Sequence, residues 1–300
     1  MNTNPIDIDV LCVGHACYDL IFQVDHHPAA DEKIFAKQHH ACGGGPAANG
    51  AVAVSRLGFN AAFAGFLGTD LYGDRHLSEF QQENINTTLL IRGHQPTPVS
   101  VILVKPDGTR ALVNYKGKTR SLPQHSLDFT ALNFKTVLFD GHEPDISVEL
   151  AKYCTLQQIP MVLDAGSVHK GTLALMDKVD YLVCSEKFAR QFADTPETAL
   201  SLLAEKAPVV VITLGEKGLI WKTATQQGQL RAFNITAIDT TGAGDAFHGA
   251  FSAAIAESMS LDDALHYASA TGALCCTKIG ARTGLPDHNE LTQFLNKHRL

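Results

Sequence analysis

Short runs of consecutive apolar residues punctuate the chain, and between them apolar positions recur three and four residues apart. The runs at 10–14, 137–139, 161–163, 181–183 and 209–214 read as strands buried on both faces. Segments 47–57, 73–84, 146–157, 197–206, 243–257 and 261–276 carry the helical spacing. This alternation predicts an α/β fold, with a mostly parallel central sheet and helices on both of its faces.

Two stretches, 16–42 and 96–115, break the rhythm. In the second, Val99, Val101 and Leu103, then Ala111, Val113 and Tyr115, alternate around Pro106-Asp107-Gly108-Thr109, which predicts an antiparallel hairpin. A hairpin sits badly inside a parallel sheet. Both stretches are therefore expected to build a small accessory sheet, a lid over a site. No repeat, low-complexity tract or long linker is visible, so 1–300 reads as one domain carrying that lid.

Composition narrows the picture. The 300 residues are 45% hydrophobic and 18% charged, enough to bury a substantial core. A formal net charge of -7 gives no general attraction to nucleic acid or to an anionic membrane. The seven cysteines are odd in number and include no CxxC pair, which points to free thiols in a reducing compartment. The first residues are polar and acidic, unlike a signal peptide, and no apolar run has the length of a membrane span; a cytoplasmic location is expected.

Candidate chemistry concentrates in Asp239-Thr240-Thr241-Gly242-Ala243-Gly244-Asp245-Ala246-Phe247. After it, Ala246, Phe247, Ala250, Phe251, Ala254 and Ile255 mark one face of a helix, so the glycines lie at a helix N-terminus. There the backbone N–H groups are unpaired and the macrodipole is positive, which suits an anion. Asp245 falls in the first turn, beside the same anion. A carboxylate next to an anion-binding turn fits phosphoryl transfer, which needs a base for the attacking hydroxyl and stabilisation for the moving charge. Alternatively, Asp245 improves helix capping and nothing more.

That string resembles the C-terminal signature DTxGAGDxF of the ribokinase (PfkB) family of carbohydrate kinases. Gly43-Gly44-Gly45-Pro46-Ala47-Ala48-Asn49, then Arg56-Leu57-Gly58 and Gly65-Phe66-Leu67-Gly68-Thr69-Asp70 with Gly73, resemble its N-terminal signature. The resemblance spans nearly the whole chain. It implies a ribokinase-like three-layer sandwich of about nine strands with a small β lid. It also implies ATP-dependent phosphorylation of a hydroxyl on a small sugar.

By the same resemblance, Asp245 is the catalytic base and the amides of Gly242, Ala243 and Gly244 form the anion hole. Asp19, Gly44, Gly45 and Asn49 bind substrate. Thr213, Gly215 and Gly218, in Thr213-Leu214-Gly215-Glu216-Lys217-Gly218, line the nucleotide together with Ser185 and Gly244. Magnesium accompanies the ATP. Asp239 and Thr241 belong to a loop that holds a monovalent cation, potassium, although Gly284 stands where that loop usually ends in serine.

The chain departs from the family's NxxE motif, with Ser185 at the Asn position and Phe188 at the Glu position. In this it is similar to the ketohexokinase and sulfofructose kinase branches, which hints at a ketose. Lys33 and Asn114 match substrate-contacting positions of the latter branch. Its sulfonate-binding arginine falls near Gly141-His142, where no arginine stands. A pentose, a ketose, a sugar phosphate and a sulfosugar all stay open as substrate.

Competing readings are weaker. Gly43-x-Gly45-x-x-Ala48 fits a loose dinucleotide fingerprint, but 37–42 is polar rather than a buried strand. Gly117-Lys118-Thr119 lacks the first glycine of a P-loop, since Leu112 stands there. The pairs His26-His27 and His39-His40 put adjacent rings on opposite faces of an extended lid, a poor start for a metal site. A nucleoside kinase and a non-catalytic sugar sensor are the rival functions. An exposed lid edge would suit a homodimer.

Overall fold

The computed structural model describes residues 6–298. Its larger sheet has nine strands. They are β1 (Ile6–Val13), β4 (Ala61–Gly68), β5 (Leu90–Gly93), β8 (Leu132–Phe139), β9 (Met161–Ala165), β10 (Tyr181–Ser185), β11 (Val209–Thr213), β12 (Leu219–Thr223) and β13 (Gln227–Leu230). Across the sheet the order is β13-β12-β11-β10-β9-β8-β1-β4-β5, parallel from β11 to β5 and antiparallel at β12 and β13.

Strict alternation explains why the strands read as unbroken apolar runs. Val10, Cys12, Leu138, Val162, Val183 and Val211 point into one core. Their neighbours Leu11, Val13, Val137, Leu163, Leu182 and Ile212 point into the other. The first core is covered by α1 (Pro46–Arg56), α7 (Ala243–Ala256) and α8 (Leu261–Cys275). The second is covered by α3 (Pro144–Gln157), α5 (Glu186–Phe192) and α6 (Pro196–Leu203). The sequence missed β4, β5, β12 and β13: β4 is Ala- and Gly-rich, β5 and β13 are short edge segments only partly covered, and β12 is a short, partly covered strand between β11 and β13.

The two irregular stretches form the accessory sheet. It contains β2 (Cys17–Gln23), β3 (Gln38–Gly44), β6 (Val99–Val104) and β7 (Arg110–Tyr115) in the order β3-β2-β6-β7. The hairpin register sets Val99 opposite Tyr115 and Val104 opposite Arg110. Among the described residues no helix is long and apolar enough to cross a membrane.

Parallel strands deliver their carboxyl ends to one edge of the sheet, where ligands bind in folds of this kind. Asp140 follows β8 directly, Asp164 lies at the end of β9, and Ser185 and Thr213 close β10 and β11. Helix α7 starts at this same edge: His248 in its second turn faces Asp164.

Candidate active site

Gly242 caps α7 with φ +78°, a left-handed conformation that glycine adopts without strain. A side chain there would also strike Ala281. The first helical bond runs from the Ala246 N–H to the Gly242 carbonyl, at 2.8 Å. Among the described residues no acceptor faces the N–H groups of Gly242, Gly244 or Asp245. Ala243 departs from expectation, because its N–H already donates to the Thr240 carbonyl at 3.3 Å. The free donors are thus Gly242, Gly244 and Asp245, with Gly244 exposed and open space where a Cβ would stand.

Asp245 is half-buried in the first turn of α7. Its Oδ2 accepts from Asn49 Nδ2 at 2.7 Å. Close packing of α1 on α7 brings the two together: a Cβ on Gly249 would stand 2.6 Å from the Gly50 carbonyl and 2.9 Å from the Ala53 methyl. Burial first, and then the negative charge of Asp164, push the Asp245 carboxyl up to about 7, while the Asn49 hydrogen bond opposes them. A base poised there at neutral pH is matched to proton abstraction from an alcohol during transfer.

Two residues that sequence reasoning missed support this turn. His248 is buried, and its Nδ1 lies 2.6 Å from the Gly244 carbonyl and 3.3 Å from Asp164 Oδ2. Its Nε2 lies 3.3 Å from the Val183 carbonyl, so the ring fastens the start of α7 to β9 and β10. Burial holds the imidazole below its ordinary pKa. Burial, then the charge of Asp140, lift Asp164 to about 7.

Asp140 is the second. One oxygen accepts from the His15 and Ala47 N–H groups at 2.8 and 3.1 Å, the other from the His142 N–H at 2.8 Å. It therefore joins the ends of β1 and β8 to the start of α1. Only a glycine fits at position 14, where a side chain would overlap this carboxylate. Beside it, the rings of His15, His142 and His169 follow one another at centroid separations of 5.4 and 4.8 Å. Burial depresses His15 to about 4 and also lowers His169. Glu143, buried and bonded to the Leu122 N–H at 2.6 Å, is raised to about 7, again chiefly by burial.

On the lid, Asp19 pairs with Ser100 across β2 and β6, and Ser100 pairs with Asn114 across β6 and β7. The expected substrate residues Asp19 and Asn114 thus share one cross-strand row. Asp19 is buried, and its carboxyl is raised by that burial. Gly44 leaves room for it, since a Cβ there would overlap its carboxylate. Gly45, with φ +101°, turns the chain from β3 into α1. Lys33 is exposed in the β2–β3 connection, its amine 6.0 Å from the Phe35 ring. Arg110 at the tip of the accessory sheet donates to Thr241 Oγ1 at 2.7 Å, a contact between that sheet and the turn before α7.

On the expected nucleotide side, Ser185 Oγ donates to the Gly166 carbonyl at 2.9 Å and accepts from the Phe188 N–H at 3.0 Å, so it is occupied as the N-cap of α5. Phe188 is buried in the core; this segment offers no carboxylate to magnesium at that position. Thr213 Oγ1 donates to the Cys184 carbonyl at 3.3 Å. Gly215 and Gly218 shape the β11–β12 turn with φ +60° and +90°.

The Asp239 carboxylate is buried and occupied by the protein. One oxygen accepts from the Thr241 N–H and hydroxyl at 2.9 and 2.6 Å, the other from the Gly280 N–H at 2.8 Å. Asp239 and Thr241 thus lock the turn to the Gly280 loop. Among the described residues no cluster of histidine, cysteine and carboxylates has metal-binding geometry, and His39 and His40 are exposed. A cavity of about 290 Å³ between α8 and α10 (His288–Lys297), lined by residues such as Leu274, Thr277 and Phe294, contains no member of this cluster.

Comparison with known proteins agrees with the geometry. The model of the pfkB family of carbohydrate kinases matches residues 7–288. A ribokinase of Bacillus subtilis is 28% identical over 293 residues, covering 96% of this chain and 99% of that protein. Fructokinase-2 of Zea mays is 28% identical, covering 92% and 91%. The crystal structure of a putative ribokinase from Agrobacterium tumefaciens superposes with a TM-score of 0.87 at 28% identity, over 97% of this chain and 98% of that one. With the match running through both glycine signatures and the Asp245 turn, the chain belongs to the pfkB family of carbohydrate kinases.

Proposed function

We propose that this enzyme transfers the γ-phosphoryl group of ATP to a hydroxyl of a small sugar, a pentose or ketose, with Asp245 as general base. The observation that carries the reading is the convergence, at the start of α7, of an Asp245 carboxylate raised to about 7 with the free N–H groups of Gly242 and Gly244. The sugar lies between Asp19, Asn49 and the lid row. Asp245 takes the proton of the hydroxyl as it attacks, and the amides and helix dipole stabilise the charge on the transferring group.

ATP enters on the side of the Gly215 and Gly218 turn. Magnesium held on the ATP phosphates would neutralise their charge. Asp164, buried at the carboxyl end of β9 on the same edge, is the carboxylate that would face that complex. Ribokinases and fructokinases among the relatives favour a pentose or a ketohexose. The absence of arginine at Gly141-His142 disfavours a sulfonated sugar. The lid supplies a partner surface as well: Leu112, Val113 and Tyr115 on β7 are exposed, and a second copy of the chain would cover them.

The test is ADP release from MgATP with ribose, fructose, fructose 6-phosphate, adenosine and inosine. The wild-type enzyme is expected to turn over a free sugar, and Asp245→Asn to lose about 10²–10⁴ in kcat while ATP affinity is nearly unchanged. A variant that keeps the wild-type rate would remove Asp245 from the role of base. Turnover of a nucleoside alone would reassign the acceptor.

A further inference from the structure

Arg282 lies in the short helix α9 (Ala281–Gly284), 4% exposed, between α1 and the helix α2 (Leu71–Gln82). Each of the three guanidinium nitrogens has a partner. Nε donates to Asn49 Oδ1 at 3.2 Å, one terminal nitrogen to Glu79 Oε2 at 2.6 Å, and the other to His76 Nε2 at 2.6 Å. The group lies over the Phe80 ring at 5.5 Å. His76, Glu79 and Phe80 are one face of α2. Neither glycine signature contains this arginine.

We propose that Arg282 is a positioning residue for the general base and acts through Asn49. Guanidinium has donors only. The atom of the Asn49 carboxamide that faces it must therefore be the oxygen, which directs the NH₂ end toward Asp245. Asn49 Nδ2 meets Asp245 Oδ2 at 2.7 Å. The result is a linear relay, Arg282 to Asn49 to Asp245, in which a permanently charged side chain fixes which end of an amide the base sees. An amide in the flipped orientation would set its oxygen against the carboxylate and favour the protonated, inactive acid.

Arg282 is itself held in place. Glu79 Oε2 also accepts from the Gly43 N–H at 2.8 Å, so one carboxylate clamps the guanidinium to the glycine loop. His76 Nε2 can only be an acceptor toward Arg282, and burial, then the arginine charge, hold this ring neutral. The charged and titratable groups around the relay are Glu79, His76, Arg56, Asp19 and the thiols of Cys17 and Cys42 near Arg282, and Asp164, His248, Asp19 and the Cys275 thiol near Asp245. Burial keeps both thiols protonated at neutral pH.

The inference rests on Asp245 being the base, and its test separates the two. Rates are measured against pH with MgATP and the panel sugar that gives the highest ADP release, for wild type, Arg282→Met, Arg282→Lys, Asn49→Ala, the Asn49→Ala/Arg282→Met double variant and Asp245→Asn. Arg282→Met is expected to lose about 10–100-fold in kcat, with KM for ATP changed less than about threefold. The acid limb of its kcat/KM profile moves to higher pH by about one unit.

The double variant is expected to lose no more than Asn49→Ala alone, because the arginine has nothing left to orient. Arg282→Lys keeps a cation for Glu79 but lacks the fork, so it folds and still shifts the limb, which covers the case in which the methionine variant fails to fold. A uniform loss at all pH values, or additive losses in the double variant, would reduce Arg282 to a structural ion pair and overturn the proposal while leaving the base assignment intact. Wild-type turnover by Asp245→Asn would overturn the base assignment, and the relay with it.

Discussion

Removing the Asp245 charge should make the protein more stable. Burial and Asp164 lift Asp245 to about 7, against about 3.9 in an unfolded chain. Between those two pH values the folded chain holds a proton that the unfolded chain has released. The unfolding free energy then falls as pH rises, since its slope follows the protons bound unfolded minus those bound folded. The loss from this group is complete above about pH 7. A gap of about three units corresponds to about 4 kcal/mol. Partial exposure of Asp245 and its coupling to Asp164 bring this down to roughly 1–3 kcal/mol. Asp245→Asn keeps an oxygen to accept from Asn49 but carries no charge. For a chain of this size about 1 kcal/mol moves Tm by about 2 °C, so the variant should melt about 2–6 °C higher at pH 8, without ligand. The difference from wild type should shrink toward zero near pH 4, where both are neutral. Differential scanning fluorimetry across pH 4–8 reads it directly, and carboxylates not coupled to Asp245 cancel in the difference. An equal or lower Tm at pH 8, or a gain that ignores pH, would show that the Asp245 charge is not penalised by its surroundings.

The same ionisation sets the activity profile. Because the base must be deprotonated, kcat/KM is expected to fall about tenfold per unit below a pH near 7, with its inflection abolished in no variant that leaves the Asp245 environment intact. Gly44→Ala places a methyl where the Asp19 carboxylate lies; sugar KM should rise about tenfold or more while ATP KM holds, and steady-state kinetics with both substrates varied would reveal it. Ser185→Ala removes the N-cap of α5 and should cost about 1 kcal/mol, near 2 °C in Tm. Its ATP KM should stay within about twofold, whereas a tenfold rise would put the Ser185 hydroxyl on the nucleotide instead.

Most of the architecture was legible because each central strand is buried on two sides. Val209-Val210-Val211-Ile212 has no polar face to lose, so a continuous apolar run marks it without ambiguity. The lid was legible for the opposite reason: Val99 to Tyr115 alternates about a Pro-Asp-Gly turn, and the hairpin follows. β4 was hidden by its composition. In Ala61-Ala62-Phe63-Ala64-Gly65, small residues carry little strand preference, yet the close approach of Gly65 to the Gly14 carbonyl requires them. β12 and β13 depend on tertiary pairing, since Gln227-Gly228-Gln229 becomes a strand only by registering against Trp221.

The site divides along the same physical line. Asp245 and its glycines announce themselves because helix start, anion turn and carboxylate are contiguous in sequence, so one local argument covers all three. Ala243 reads like its neighbours in the sequence, since whether its N–H points outward or to Thr240 depends on one turn dihedral that letters do not report. Asp140 and Asp164 had a usable signature, the first acid after a buried parallel strand, which topology alone delivers to the ligand edge. His248 had half of one: a polar residue on the core face of α7, where burial without a partner would be costly. Arg282 had none. Its meaning arises when α9, α1 and α2 converge, and its partners His76, Glu79 and Asn49 lie more than 200 residues away in the chain. A buried cation is tolerated only when its donors are matched, and at Arg282 each match is to a residue that shapes the substrate side. The hydrogen bond to Asn49 that helps match the buried arginine is the same one that, in the proposed relay, turns the amide toward Asp245.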